Sequence, residues 1–316
     1  MPVKIEILIV TLTVNPAVDR SVAADRLVFE DRAYILSSSE GAGGRGINAS
    51  CVIHDFGGET LAITTSGGPV GARFEQFLKC CGFPVDFVRI RNPIRTNLTI
   101  TDRQGLTIKL NELGPSIDKP ELDQVVEAVR KRLPGAQWLM LCGSLPPDVP
   151  ADFYAKLIKL AGKAKVKTLL DTDGQALVEG MEARPTVVAP NQQEAERLLS
   201  KALIMRSHFL DAAERIRAMG ASAVVLSLGS RGAVGAQGDQ LIEVIPPRVD
   251  AVCPIGAGDA LAAAFTWAMA EKNDFADAVR WGVAEGTASA RLPGVRFANL
   301  EQAREIYAKV EVRSAK

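Results

Sequence analysis

Apolar and polar positions follow two different periods along this chain, and the change of period divides it. From about residue 136 onward, short uninterrupted apolar runs are separated by stretches in which apolar residues recur every three or four positions. Trp138-Leu139-Met140-Leu141-Cys142 has no polar break and ends at Gly143. Such a run predicts a strand buried on both faces. Val166 to Leu170, ending at Asp171, Thr186 to Ala189, ending at Pro190-Asn191, and Ala223 to Leu228, ending at Gly229, predict more of the same kind. Between them, Asp152 to Lys163 puts Phe153, Leu157 and Leu160 on one helical face, Gln193 to Leu199 starts another helix, and Leu261 to Ala270 is an apolar helix. Strands alternating with helices imply a parallel sheet covered on both faces. Ligands then belong at the carboxyl ends of the strands, where Gly143-Ser144, Asp171-Thr172-Asp173-Gly174, Asn191 and Gly229 stand.

The N-terminal third has the two-residue period instead. Val28 to Ser38 and Arg95 to Leu110 alternate apolar with polar residues, and Gln104-Gly105 stands between two such runs as a hairpin turn would. These segments predict a small antiparallel sheet, its strands within about residues 17–40 and 95–112, placed as a lid on the α/β body. One face of it would be apolar and would need cover, which a second copy of the chain could supply. No Ser/Gly/Pro-rich linker splits the chain, so residues 1–316 are expected to form a single domain.

Composition narrows the function classes. Lys plus Arg and Asp plus Glu both number 37, so there is no overall basic footprint for nucleic acid or an anionic membrane. The N-terminal apolar run, Ile7 to Val10, is far shorter than the ~20 residues of a membrane span and shows no cleavage pattern. A soluble, cytoplasmic protein is expected. The five cysteines show no Cys-x-x-Cys spacing and read as buried thiols. With only His54 and His208, neither a His-based zinc site nor a Ser-His-Asp triad is supported.

Five segments carry candidate chemistry. In Ile255-Gly256-Ala257-Gly258-Asp259-Ala260, directly before the apolar helix, the glycines let bare N–H groups approach an anion at a helix N-terminus. Asp259 beside such an anion hole suits phosphoryl transfer: the carboxylate takes the proton of an attacking hydroxyl while the N–H groups hold the phosphate charge. The plainer alternative is a helix cap. Gly41-Ala42-Gly43-Gly44-Arg45-Gly46-Ile47-Asn48 matches G-x-G-x-x-G, but it does not follow the first strand of a βαβ unit as a dinucleotide fingerprint should. It reads better as a glycine-lined floor for a sugar, with Asn48 bonding hydroxyls and Arg45 able to meet a phosphate. Asn191-Gln192-Gln193-Glu194 at a strand end could organise Mg²⁺ through water by way of Glu194, or Glu194 is an ordinary first-turn residue. Ser227-Leu228-Gly229-Ser230-Arg231-Gly232-Ala233 could bring backbone close to a nucleotide, or simply turn a hairpin. Asp19, in Asn15-Pro16-Ala17-Val18-Asp19, could accept hydrogen bonds from sugar hydroxyls.

In chain order, from Asn15-Pro16-x-x-Asp19 through Gly43-Gly44-Arg45-Gly46-Ile47-Asn48, Gly143-Ser144-Leu145-Pro146, Pro190-Asn191-x-x-Glu194 and Ser227-Leu228-Gly229 to Gly256-Ala257-Gly258-Asp259, the segments resemble the PfkB (ribokinase-like) carbohydrate kinases over nearly the whole chain, from Ile5 to about Tyr307. Arg95-Thr96-Asn97, Asn111-Glu112-x-Gly114-Pro115 and Gly143-Ser144-Leu145-Pro146-Pro147 are similar to the phosphosugar branch: 1-phosphofructokinase, tagatose-6-phosphate kinase and the minor bacterial type of 6-phosphofructokinase. A substrate that already carries a phosphate needs fixed cations, and Arg suits them; Arg45, Arg95 and Arg32 lie in the relevant segments. The resemblance implies a ribokinase-like three-layer α/β/α fold, its central sheet mostly parallel, with a small β lid that pairs two subunits into a homodimer. It implies that Asp259 is the general base, with Gly256, Ala257 and Gly258 as anion hole. Asp19, Gly43, Gly44, Arg45 and Asn48 would hold the sugar, and Arg95 and Ser144 its phosphate end. Asn191, Ser227, Gly229 and Gly232 would line the ATP site, with Glu194 toward Mg²⁺. The implied reaction is ATP-dependent conversion of fructose 6-phosphate or fructose 1-phosphate to fructose 1,6-bisphosphate. Tagatose 6-phosphate, an unphosphorylated sugar or a nucleoside are alternative substrates, and a non-catalytic sugar-phosphate sensor is a third reading. Three positions depart from the family: Ala189 where many members have Lys, Arg45 where the branch often has Lys, and Pro254 where many have Thr. Pro254 falls near a monovalent-cation position, so no potassium dependence is inferred.

Overall fold

The computed structural model describes residues 8–272 and 274–315. Ile5 and Ile7, where the resemblance and the first apolar run begin, lie outside them. The chain starts with β1 (Leu8–Thr13), β2 (Ala17–Ala24), β3 (Ile35–Gly43), α1 (Arg45–Asp55), β4 (Glu59–Ser66), α2 (Gly68–Leu78) and β5 (Val85–Arg89). It continues through β6 (Arg95–Thr101), β7 (Thr107–Asn111), α3 (Lys119–Arg132), β8 (Ala136–Cys142), α4 (Phe153–Lys163), β9 (Lys167–Asp171), α5 (Gly174–Glu182), β10 (Val187–Val188) and α6 (Gln192–Leu199). It ends with α7 (Arg206–Ala218), β11 (Ala223–Ser227), β12 (Ala233–Gln237), β13 (Gln240–Ile245), α8 (Ala257–Lys272), α9 (Phe275–Ala290), α10 (Leu300–Tyr307) and β14 (Glu311–Ser314).

Ten strands form the main sheet in the order β14-β13-β12-β11-β10-β9-β8-β1-β4-β5. From β11 to β5 every pairing is parallel, and β12, β13 and β14 add an antiparallel flank. Successive side chains of a strand point to opposite faces. In β8, Leu139 and Leu141 join the apolar cluster on one face, while Trp138, Met140 and Cys142 join the cluster on the other. That is why this run has no polar interruption: neither face of it meets water.

The three-layer α/β/α body therefore matches the expectation from the repeating strand–helix pattern. No helix among the described residues is long and apolar enough to cross a membrane. α8 begins four residues before the expected Leu261, so Asp259 lies within its first turn and not at a cap. α8 packs against α9 with very little between them, because Gly282 and Gly286 face the Leu261 and Ala257 carbonyls, each of which would be 2.8 Å from an added Cβ.

The lid is a four-stranded sheet in the order β3-β2-β6-β7. It is not purely antiparallel: β2 runs parallel to β6, and only the β2–β3 and β6–β7 pairings are antiparallel. The expected strand from Val28 is replaced up to residue 34 by a loop. There the Asp25 carboxylate accepts from the Arg26 and Tyr34 N–H groups, the Tyr34 carbonyl accepts from the Asp25 N–H, and Glu30 takes a positive φ of 62°. Local side-chain acceptors of this kind outcompete strand pairing. Arg32 lies exposed in that loop.

The cysteines are less uniform than expected. Cys142 is buried, Cys51, Cys81 and Cys253 are half-buried, and Cys80 is exposed. Cys80 and Cys81 sit in the turn after α2, where only one of two adjacent side chains can turn to the core. Cys81 does so, beside Cys51, and that neighbouring thiol lowers its pKa to about 7.

Candidate functional site

A cleft of about 460 Å³ opens at the carboxyl ends of β1, β8, β9, β10 and β11, under the lid. β1 lies where the chain turns from building one half of the sheet to building the other, with β4 on one side and β8 on the other. Loops leaving the strands there diverge and leave a crevice.

Asp259 comes from the first turn of α8 and lines the cleft. Asn48, from the first turn of α1, donates its amide to the Asp259 carboxylate at 2.7 Å. Burial, then the charge of Asp171, push the Asp259 pKa up to about 6; Arg45 and the Asn48 hydrogen bond pull the other way. A carboxyl poised there is mostly ionised near neutral pH and still basic enough to take a proton. Gly256, with φ of 82°, and Gly258 line the cleft beside it, and the N-terminal end of α8 adds positive potential. Ala257 does not line it. Its N–H turns back to the Pro254 carbonyl at 3.3 Å.

Arg45 was expected to meet a substrate phosphate. Its guanidinium instead spans three carboxylates, at 2.7 Å from Asp171 and 3.1 Å from both Asp173 and Glu194. Those charges, Asp171 foremost, hold it firmly protonated. Asp171 and Asp173 were visible only as polar residues after a strand; nothing in the sequence tied them to Arg45. Glu194 is a first-turn residue of α6, as the plainer reading had it. It closes a capping box with Asn191 at the start of α6, and its carboxylate faces the cleft.

Arg95 is the contrasting cation. It donates to the backbone carbonyls of Glu112 at 2.9 Å and Asn15 at 3.0 Å, its Nε has no partner, and no carboxylate among the described residues pairs with it. Burial lowers its pKa. Ser144 lies nearby, its hydroxyl accepting from the Asn15 amide at 3.3 Å.

The lid turns one face to the cleft. Asp19, Ser21, Asn97, Thr99, Lys109 and Asn111 all line it. Register explains the set: Asp19 pairs Asn97, Asn97 pairs Asn111, and Thr99 pairs Lys109 across neighbouring strands. Asn97 donates to Asp19 at 2.9 Å, while burial raises the Asp19 pKa. Lys109 was not singled out in the sequence, and Asn111 only as part of a segment similar to the phosphosugar branch, because alternation locates a face but not which face meets the site. Gly43 lies against Asp19, and any Cβ there would overlap that carboxylate. Gly44 lines the cleft with φ of 131°.

At the far end, Val225, Pro254, Ile255, Leu261, Val295 and Ala189 form an apolar wall beside Ser227 and Asn191. Gly229 and Gly232 do not line the cleft. They form the turn from β11 to β12, where a side chain at Gly232 would collide with the Val244 carbonyl. The segment turns a hairpin, and only its Ser227 end lines the cleft.

Among the described residues no group of three or more His, Cys, Asp or Glu side chains forms a metal cage. Glu194 and Asp171 face the cleft, and because Arg45 already occupies an oxygen of each, they fit a hard cation reached through water and shared with phosphate oxygens.

Residues 7–303 match the family described as pfkB family carbohydrate kinase. ATP-dependent 6-phosphofructokinase isozyme 2 of Escherichia coli (strain K12) is 31% identical over 303 residues, 95% of this chain and 98% of that protein. Solved structures of the E. coli phosphofructokinase-2 in complex with fructose-6-phosphate and in a tetrameric inhibited form each superpose with a TM-score of 0.89 at 31% identity, covering 96% of this chain and 99% of that one. A possible 1-phosphofructokinase from Thermotoga maritima shares the fold, with a TM-score of 0.88 at 21% identity over 98% of this chain and all of that one.

Proposed function

The chain belongs to the pfkB family of carbohydrate kinases, and from that premise we propose that it transfers the γ-phosphoryl group of ATP to a free hydroxyl of fructose 6-phosphate, giving fructose 1,6-bisphosphate. One observation carries the choice of a phosphorylated sugar: the cleft holds a half-buried arginine, Arg95, that makes no direct ion pair with a carboxylate, while Arg45 nearby is saturated by three. A fixed cation with an unpartnered N–H is what a phosphate monoester seeks. The name and sugar complex of the E. coli relative support fructose 6-phosphate in particular.

In this reading the sugar lies between the polar lid face and α1, with Asp19, Asn97 and Asn48 on its hydroxyls and Arg95 and Ser144 on its phosphate. Asp259 accepts the proton of the attacking hydroxyl. The N–H groups at Gly256 and Gly258 face the transferred phosphoryl, so negative charge stays balanced as it moves. The purine of ATP packs on the apolar wall formed by Val225, Leu261 and Val295. Glu194 and Asp171 would hold Mg²⁺ through water, and the ion would supply positive charge to the phosphates. The lid keeps water from the transfer.

A coupled ADP-release assay with Mg-ATP tests this on fructose 6-phosphate, fructose 1-phosphate, tagatose 6-phosphate, fructose and ribose. Turnover with highest kcat/KM on fructose 6-phosphate is expected. Preference for another ketohexose phosphate would move the substrate but keep the role of Arg95, and turnover confined to fructose or ribose would overturn it.

The reading extends to a homodimer built on the lid. Its strands turn Leu98, Ile100, Ile108 and Leu110 away from the cleft, and Leu36 and Leu110 are 49% and 55% exposed. Leu110→Glu is expected to shift sedimentation from dimer to monomer, since one buried charge outweighs the ~1.5–3 kcal/mol of a buried leucine. An unaltered protein that already sediments as a monomer would refute the lid interface.

A further inference from the structure

The largest unexplained polar group outside the cleft is Glu285. It sits on the middle of α9 with 0% exposure, in an otherwise apolar core. Burial pushes the pKa of its carboxyl well above the usual range. Oε1 accepts from the Ser289 hydroxyl at 2.7 Å and from the Ala298 N–H at 3.1 Å, and the Ser289 oxygen also accepts from that same N–H at 2.9 Å. Oε2 has no partner among the described residues. Buried polar groups are rarely left half-satisfied without a reason.

The N–H that Glu285 and Ser289 share ends the segment from 291 to 298, which runs from α9 toward α10. One residue of that segment lines the cleft and another packs on a cleft residue. Val295 lines its apolar wall. The Phe297 ring lies against Gly256, so close that a Cβ there would be 3.1 Å from its Cε1. The start of the same segment is tied on the other side, because the Ala290 carbonyl accepts from the Val252 and Cys253 N–H groups at 2.8 and 3.0 Å. The chain before Gly256 and the ring beside it are thus both fastened to the last turns of α9.

We infer that Glu285, with Ser289, is a positioning residue for the nucleotide side of the cleft. It latches Ala298, so that Phe297 and Val295 are held against the Gly256 turn and the apolar wall. The inference rests on the kinase reading above, because it assigns that wall to the nucleotide. Glu285 touches no substrate; it acts through Phe297 and Val295. A glutamine would keep the acceptor oxygen that both donors use, and an alanine would remove it. Misplacement of a binding wall by about 1 Å can cost up to ~100-fold, so a loosened latch should be visible in steady-state constants.

The test compares Glu285→Gln, Glu285→Ala and Ser289→Ala with the unaltered protein. Readouts are the dissociation constant of a non-hydrolysable ATP analogue with Mg²⁺, measured without sugar, and the KM values for Mg-ATP and for the sugar phosphate. Glu285→Ala is expected to weaken nucleotide binding and raise the KM for Mg-ATP by roughly tenfold, with the sugar-phosphate KM unmoved and Glu285→Gln near the parent. Ser289→Ala, which leaves the Glu285 acceptor in place, should show a smaller shift in the same direction and serves if Glu285→Ala does not fold. Equal effects on both KM values, no effect on nucleotide binding, or a glutamine variant as impaired as the alanine one would overturn the inference. If the parent protein turns over no sugar phosphate, the proposed reaction falls, while the nucleotide dissociation constants still decide the role of Glu285.

Discussion

Asp259→Asn lowers kcat by roughly 10²- to 10⁴-fold, the ordinary contribution of a positioned general base, while both KM values stay within about twofold. The amide is isosteric and can still accept the 2.7 Å hydrogen bond from Asn48 through its oxygen, so α8 and the cleft keep their shape. What it loses is basicity. The pH profile gives a second view of the same group. The Asp259 pKa is pushed up to about 6 by burial and by Asp171. Its carboxylate is the active form, so kcat/KM should fall as pH drops through about 6 and level off above it. Arg45 pulls that pKa down. Arg45→Met should therefore move the acid limb to higher pH, toward neutrality. Stopped-time ADP assays from pH 5 to 8 on the three proteins check the set. A limb that stays in place in Asp259→Asn would assign it to another group.

The second large effect belongs to Arg95. Arg95→Ala should raise the KM for the sugar phosphate by about 10- to 100-fold, from the ~1.5–3 kcal/mol of a charged hydrogen bond at about 1.4 kcal/mol per tenfold. The KM for Mg-ATP should not follow it. Arg95 also holds the Asn15 and Glu112 carbonyls, so some loss of kcat is expected from a looser β1–β2 corner. Arg95→Lys separates the two roles. A lysine keeps the charge but cannot tie two carbonyls and a phosphate at once, so it should recover part of the binding and little of the kcat. Equal turnover of fructose and its phosphate by both variants would show that Arg95 does not read the phosphate.

The parallel body was legible because its strands are buried on both faces: Trp138 to Cys142 and Val166 to Leu170 could be placed without knowing what they packed against. Asp259 was legible because glycines and an acid at the start of an apolar helix have few other uses. The Arg45 partners were not, since Asp171, Asp173 and Glu194 lie 126, 128 and 149 residues away, and only the parallel order of β1, β8, β9 and β10 brings them together. The loop through Glu30 was misread as strand because its Asp25 acceptors, not its apolar pattern, decide the backbone. Lys109 and Asn111 needed the pairing of β6 with β7 before their facing had meaning. Glu285 carried no signal at all: one acid in a small-residue helix reads as surface until the helix is seen to be covered.

The lid has a consequence for how this chain can diverge. Its polar cleft-facing residues and its apolar residues alternate along the same strands, one set at Asp19, Ser21, Asn97 and Thr99, the other at Val18, Val22, Leu98 and Ile100. A single residue gained or lost within β2 or β6 would exchange the two sets wholesale, turning apolar side chains into the cleft and polar ones onto the opposite face. The proposed sugar site and the proposed lid interface therefore share one reading frame. Substitutions can tune either property independently, but changes of length are confined to the loops at residues 25–34 and 102–106.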